Sequence, residues 1–162
     1  MNPIRHWLAR LQVHKAFPQA TLANIQAAIA AGEQDHLGEI CFAIEGGLPW
    51  FEALTYTTAR DRADAAFARL RVWNTEGNTG VLIYILLAEQ AIEIVADRGI
   101  AAKAAPGQWR AICASLEQAC RDDNHAEGTM AAIASIHALL TEYFPASGTS
   151  NPDELPNRPV VV

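Results

Sequence analysis

The chain has 162 residues, 51% of them apolar, and a formal net charge of −6. That length suits one domain with a real core, and the acidic balance argues against a nucleic-acid binder, which normally presents a basic surface. No apolar run approaches the roughly 20 residues of a membrane-spanning helix, and the N-terminus lacks the apolar stretch and small-residue cleavage site of a signal peptide, so cytoplasmic residence is the expectation.

Residues 1–20 hold Arg5, Arg10 and Lys15 and no acid, which leaves −9 for the rest of the chain. Residues 1–18 read as an arm, with Ile4, Trp7, Leu8 and Leu11 at helical spacing. Packing on the body is the simpler account; peripheral contact with a membrane surface or a partner is the alternative. After Pro18, Thr21 is placed to cap a helix over 21–34 whose stripe is Leu22, Ile25, Ala28 and Ile29. Glu39–Glu45 follows as a strand, apolar without alternation from Ile40 to Ile44, as in a strand covered on both faces.

Gly46-Gly47 and Pro49 break the chain. Thr57 or Thr58 then caps a helix to about Trp73, with Thr58 and Asp61 at capping-box spacing. Its buried face is Ala59, Ala63, Ala66, Phe67 and Leu70; Arg60, Asp64, Arg69 and Arg71 face water, and Arg62 is expected to be solvated too, with an anion met by Arg60 and Arg62 at the helix start as the alternative. Gly80–Leu87 is a second buried strand, so strand, helix and strand make a βαβ unit with parallel pairing. A short turn at Ala88–Gln90 makes Ala91–Ala96 antiparallel to it, and Glu93 suits a strand near an edge.

Pro106 at a first helical position opens a helix with stripe Trp109, Ile112, Cys113, Leu116 and Cys120. A last helix runs over about 127–144 and stops at Pro145; residues 146–162 form an extended tail whose Val160-Val161-Val162 either adds to a sheet edge or docks on the body. The expected organisation is arm 1–18, domain 19–145 and tail 146–162. The fold class is α/β: a three-layer α/β/α sandwich around a small mixed sheet with a βαβ unit and a β-hairpin.

Common catalytic signatures are missing. There is no dinucleotide or phosphate glycine loop and no GxSxG elbow. Neither Cys41, Cys113 nor Cys120 has an arginine six positions later, as a thiolate phosphatase loop would need. Asp122-Asp123-Asn124 lacks the later glycine and glutamate of an EF-hand. The odd cysteine count without CxxC spacing reads as reduced, buried thiols.

The candidate site groups Thr75, Glu76 and Asn78 before the second strand, Asp97 and Arg98 after the third, and Asp122, Asp123 and His125 between the last helices. Glu76, Asn78, Asp97, Asp122 and Asp123 are the expected metal ligands, since carboxylate and amide oxygens suit Ca²⁺ or Mg²⁺. Antiparallel pairing of the second and third strands puts Glu76 and Asn78 at the same end of the sheet as Asp97. Taken singly, each is more simply a solvated loop residue or a backbone cap. Trp73 and Trp109 are expected in the core, and His36 and Glu39 are expected to fix the loop before the first strand by hydrogen bonding.

Several segments resemble the TPM domain family, whose members include thylakoid-lumen acid-phosphatase-like proteins. They are Arg62-Ala63, Phe67, Leu70, Val72-Trp73-Asn74-Thr75-Glu76, Gly80 to Tyr84, Glu93 to Ile100 and Trp109. Phe17-Pro18, His36 to Ile40 and Glu154 to Val160 are similar as well. The form is that of short bacterial members without a membrane helix. The resemblance implies Rossmann-like layering, a divalent cation such as Ca²⁺ in some members, and a membrane-associated protein partner in membrane-protein quality control. Placement is then cytoplasmic, with a peripheral position at the membrane as the alternative. Weak metal-assisted phosphatase activity comes only from the plant branch and has no shared nucleophile to anchor it here, so the catalytic residues stay unassigned.

Overall fold

A computed structural model describes residues 13–47, 58–146, 148 and 152–162. Most of the expected arm, Pro49 and Thr57 lie outside the described residues. Among the described residues, four strands form one mixed sheet: β1 (Glu39–Glu45), β2 (Gly80–Leu86), β3 (Ala91–Ala96) and β4 (Val160–Val161), in the order β3-β2-β1-β4. β1 and β2 run parallel from Glu39 opposite Gly80 to Glu45 opposite Leu86. β3 returns antiparallel to β2, and β4 lies parallel to β1 with Val160 opposite Ala43.

The described residues include the helices α1 (Gln19–Gly32), α2 (Ala59–Arg69), α3 (Arg98–Ala101), α4 (Pro106–Arg121) and α5 (His125–Tyr143). Every residue of β1 and β2 is buried, because helices cover both faces. Alternation sorts the side chains. Ile40, Phe42, Ile44, Val81, Ile83 and Ile85 pack with Ile25, Ile29, Leu116, Ile133, Ile136 and Leu140 of α1, α4 and α5. Cys41, Ala43, Leu82, Tyr84 and Leu86 pack with Ala63 and Ala66 of α2, with Val72 and with Leu155 of the tail. This is the expected three-layer sandwich.

Several boundaries differ from the sequence reading, each for a local reason. α1 starts earlier because the Pro18 carbonyl already accepts from Leu22 N at 3.1 Å, so Thr21 sits inside the first turn and caps nothing. α2 has the expected Thr58–Asp61 capping box, with Asp61 N donating to Thr58 Oγ1 at 3.1 Å and Thr58 N to Asp61 Oδ2 at 2.9 Å. It ends at Arg69, not near Trp73, because Arg71 turns left-handed at φ 55°. That turn sends Val72 into the core and leaves Trp73 51% exposed, so Trp73 is a surface residue. The Asp97–Arg98 loop is instead the start of the short helix α3, with Asp97 as its cap.

Arg62 is also corrected. It shares the inner face of α2 with Ala59, Ala63 and Ala66 by three- and four-residue spacing, and it is buried. Its guanidinium grips the Glu45 carboxylate with two bonds, Nε to Oε2 and Nη2 to Oε1, each 2.7 Å. The Tyr84 hydroxyl donates to the same Oε2. The neighbouring Arg60 reaches the outer strand: Nη1 donates to the Ile94 carbonyl at 3.1 Å, while the same side chain pairs with Asp64 and Glu93.

Gly80 is required by a close crossing. A Cβ there would stand 2.0 Å from the Val72 carbonyl oxygen, and that contact is backbone, which cannot swing aside. Gly80→Ala is therefore expected to cost about 1–3 kcal/mol by overpacking, read as a lower midpoint in urea with unchanged slope.

Candidate functional site

The N-terminal ends of β1 and β2, the C-terminal end of β3 and the tail meet at one rim of the sheet. Asp97 N donates to the Gly80 carbonyl at 2.9 Å, and Glu39 N to the Thr79 carbonyl at 3.1 Å. The 75–79 loop is fixed from within by Asn78 N to Thr75 O (3.2 Å) and Thr79 N to Thr75 Oγ1 (2.9 Å). Asn78 takes the left-handed conformation at φ 52°. Its Oδ1 accepts from Arg98 Nε at 2.9 Å, and its carbonyl from Gly99 N at 3.1 Å. Asp97 Oδ1 accepts from Arg98 N at 2.7 Å, while Oδ2 is buried with no partner among the described residues. Asn78 and Asp97 are thus joined through Arg98 and Gly99. The exposed Glu76 contributes its amide, which donates to both oxygens of the Glu154 carboxylate at 3.0 and 3.2 Å.

That contact leads into a group the sequence reading did not assemble. Glu33, Glu39 and Asp153 bring one carboxylate oxygen each within 4.8 Å of one another, the one such group of three or more His, Cys, Asp or Glu among the described residues. Glu33 follows α1 in a 3₁₀ turn, Glu33–Asp35, and its Oε1 accepts from Ile40 N at 2.9 Å. Glu39 opens β1, and its Oε2 accepts from Leu155 N at 3.3 Å. Both are buried, whereas Asp153 is exposed. Burial, with the Glu39 and Asp153 charges adding, pushes the Glu33 carboxyl up to about 8 against the opposing Ile40 amide and Asn157 side chain. Burial, reinforced by Asp153 and Glu154, pushes Glu39 up to about 7 although the Leu155 amide opposes it. Asn157 Oδ1 is buried nearby without a partner among the described residues.

This is an all-oxygen donor set at a mouth open on the Asp153 side. It fits a hard cation such as Ca²⁺ or Mg²⁺, and it does not fit a thiolate- or imidazole-seeking metal. Two carboxyls that hold protons near neutrality can exchange them for a cation.

Asp122 and Asp123 do not join this rim. α4 starts beyond α3 at the rim and runs 16 residues, about 24 Å, which carries its end to the opposite side. There Asp122 accepts from Gln118 Nε2 at 3.2 and 3.1 Å. Asp123 and His125 line a cleft of about 660 Å³ with Lys15, Ile85, Gln90 and Ile92, beside the β2–β3 turn. The expected five-residue group is therefore split between two ends of the sheet. Trp109 packs half-buried against the core. The three cysteines are free, and burial pushes each thiol up to about 11. None is a thiolate at neutral pH, so thiol nucleophilic catalysis has no candidate among them.

The rim was partly legible. His36, Glu39 and the segment from Glu154 already stood out as family-like, and the His36 ring does fix the loop, accepting from Gly38 N at 3.1 Å. The join between Glu39 and Asp153 depends on β4 pairing with β1 across more than a hundred residues, which no local spacing records.

No curated protein matches the chain. Among solved structures, it is similar to the BA42 protein from the psychrophilic bacterium Bizionia argentinensis, determined by NMR. The two share 26% identity and a TM-score of 0.77, over 88% of this chain and 93% of that one. No described helix is long and apolar enough to cross a membrane. A family model, the TPM domain, matches residues 13–139, well over half of the chain, which therefore belongs to the TPM domain family.

Proposed function

We propose that this TPM domain is a divalent-cation-binding module whose ion, Ca²⁺ or Mg²⁺, is held by Glu33, Glu39 and Asp153. The observation that carries this reading is the convergence of three carboxylates, two of them buried, with one oxygen from each within 4.8 Å of the others. Asn157 Oδ1 and Asp97 Oδ2 are further buried oxygens without a partner among the described residues. Glu76 acts through its amide, which holds the tail at Glu154, next to Asp153. Asn78 and Asp97 form the adjoining part of the rim; Asp122 and Asp123 lie outside it. A membrane-associated protein partner that reads the cation-loaded state, in membrane-protein quality control, is the physiological role we propose with it.

Calorimetric titration with CaCl₂ and with MgCl₂ tests the site. Native protein is expected to bind, with protons released into the buffer. Glu39→Gln is expected to weaken binding at least ten-fold, and Glu33→Gln with Glu39→Gln to remove it. Unchanged affinity in the double variant would place the ion elsewhere, and Asp97→Ala would then be the next variant to titrate. Phosphomonoester turnover in the same samples is expected not to exceed that of the cation alone; activity lost in the double variant would favour a metal-assisted hydrolase instead.

A further inference from the structure

His36 and His137 meet ring to ring, with centroids 5.0 Å apart and His36 Nε2 2.7 Å from His137 Nδ1. All four ring nitrogens have a neighbour to bond. Gly38 N–H donates to His36 Nδ1 at 3.1 Å, so that nitrogen carries no proton. The His36 proton then sits on Nε2 and is donated to His137 Nδ1. This leaves the His137 proton on Nε2, 3.2 Å from the Ala28 carbonyl. The tautomers follow from the network. The chain of bonds has one direction, from the start of β1 through the turn and α5 to α1.

An added proton would meet a donor at either of the two proton-free nitrogens. On His36 Nδ1 it would face the Gly38 N–H, and on His137 Nδ1 it would face the His36 N–H. Each case breaks a bond, the first of them buried and the second part-buried, and His36 is fully buried. The rings have little room on the α1 side: a Cβ at Gly32 would stand 2.3 Å from the His137 ring. The same region ties α5 to the turn through the backbone, with Leu37 N donating to Phe144 O at 2.9 Å and Ala146 N to Asp35 O at 3.1 Å.

We propose that His36 and His137 form an acid-released latch: neutral, the pair clamps the C-terminal half of α5 and the Glu33–Asp35 turn onto α1, and protonated, it lets them part. Among the described residues, the rings' own charges and that of Asp35 on the turn act on the pair, and the Ala28 carbonyl of α1 and the Gly38 amide before β1 bond to it. Asp35 favours protonation, but burial, reinforced by the His137 ring, outweighs it and holds His36 down to about 4. Burial lowers His137 as well. The folded-state value lies below the unfolded 6.5. The stabilising contribution is therefore complete above pH 6.5 and lost as pH falls through 4.

The test compares the protein with His36→Gln/His137→Gln. Glutamine can accept at one atom and donate at another but takes up no proton. Both proteins carry Glu33 and Glu39, whose titration cancels in the comparison. Between pH 7 and pH 5 the folding constant of the native protein is expected to fall on the order of ten-fold more than that of the variant. Equal falls would overturn the latch. Where the double variant does not fold, two measurements on the native protein decide. Nitrogen shifts of the imidazoles should show both rings protonated only at Nε2 at pH 7. Amide exchange in 137–146, corrected for its intrinsic pH dependence, should accelerate below pH 5. Rings that titrate near 6.5 in the folded state, with exchange unchanged, would overturn the proposal.

Discussion

Arg62→Ala is expected to lower the unfolding free energy by about 3–5 kcal/mol. The substitution leaves the Glu45 carboxylate buried without its two-bond partner, with Tyr84 as its remaining side-chain donor among the described residues. Against a total stability of about 5–15 kcal/mol, such a loss leaves a protein that is partly unfolded at modest urea. Arg62→Lys keeps the charge but not the planar fork, and is expected to recover only part of the loss. Removing both charges, as Glu45→Leu with Arg62→Leu, should cost clearly less than the sum of the single changes. Equilibrium unfolding of the four proteins gives the coupling directly. A loss below about 1 kcal/mol for Arg62→Ala would mean that the pair behaves as a solvated surface bridge.

Added Ca²⁺ is expected to raise thermal stability strongly at pH 8 and weakly at pH 5. The sign follows from the two buried carboxyls. Their folded-state values, about 8 for Glu33 and about 7 for Glu39, lie above the ordinary 4.5. Their contribution is thus complete below pH 4.5 and lost as pH rises through 7 and 8, where both must ionise inside the fold. A cation relieves that strain only where protons no longer compete. At a hundred times its dissociation constant, a cation adds about 2.7 kcal/mol, which in a chain of this size is roughly 5–10 °C. Scanning calorimetry at both pH values, with and without CaCl₂, measures it. In Glu33→Gln/Glu39→Gln both the alkaline decline and the cation gain should vanish; a gain that persists there would assign it to another site.

The sheet was legible because its signals are local. β1 and β3 fall on their expected residues, and β2 differs by one, since an unbroken apolar run between turn residues has few other uses in a covered sheet. The α2 cap was legible for the same reason: Thr58 and Asp61 are three residues apart. Arg62 was misplaced although its helical phase put it beside Ala63 and Ala66, because a guanidinium enters a core only with a partner, and Glu45 stands on another element. Trp73 was misplaced because its exposure is decided by the left-handed turn at Arg71, a conformation that an arginine does not announce. For the candidate site, the rim was readable from the direction of the hairpin. Its carboxylates were not. Glu33 and Asp153 meet only after α1, β1 and the tail have been placed in three dimensions.

The outer strand β3 bears on solubility. A strand from another molecule would seek the Ile94 carbonyl, and Arg60 already occupies that acceptor while Glu93 adds charge beside it. Open sheet borders invite fibrous stacking unless something blunts them. In this protein one guanidinium serves as a stopper, so chains at high concentration meet a plugged border instead of a template.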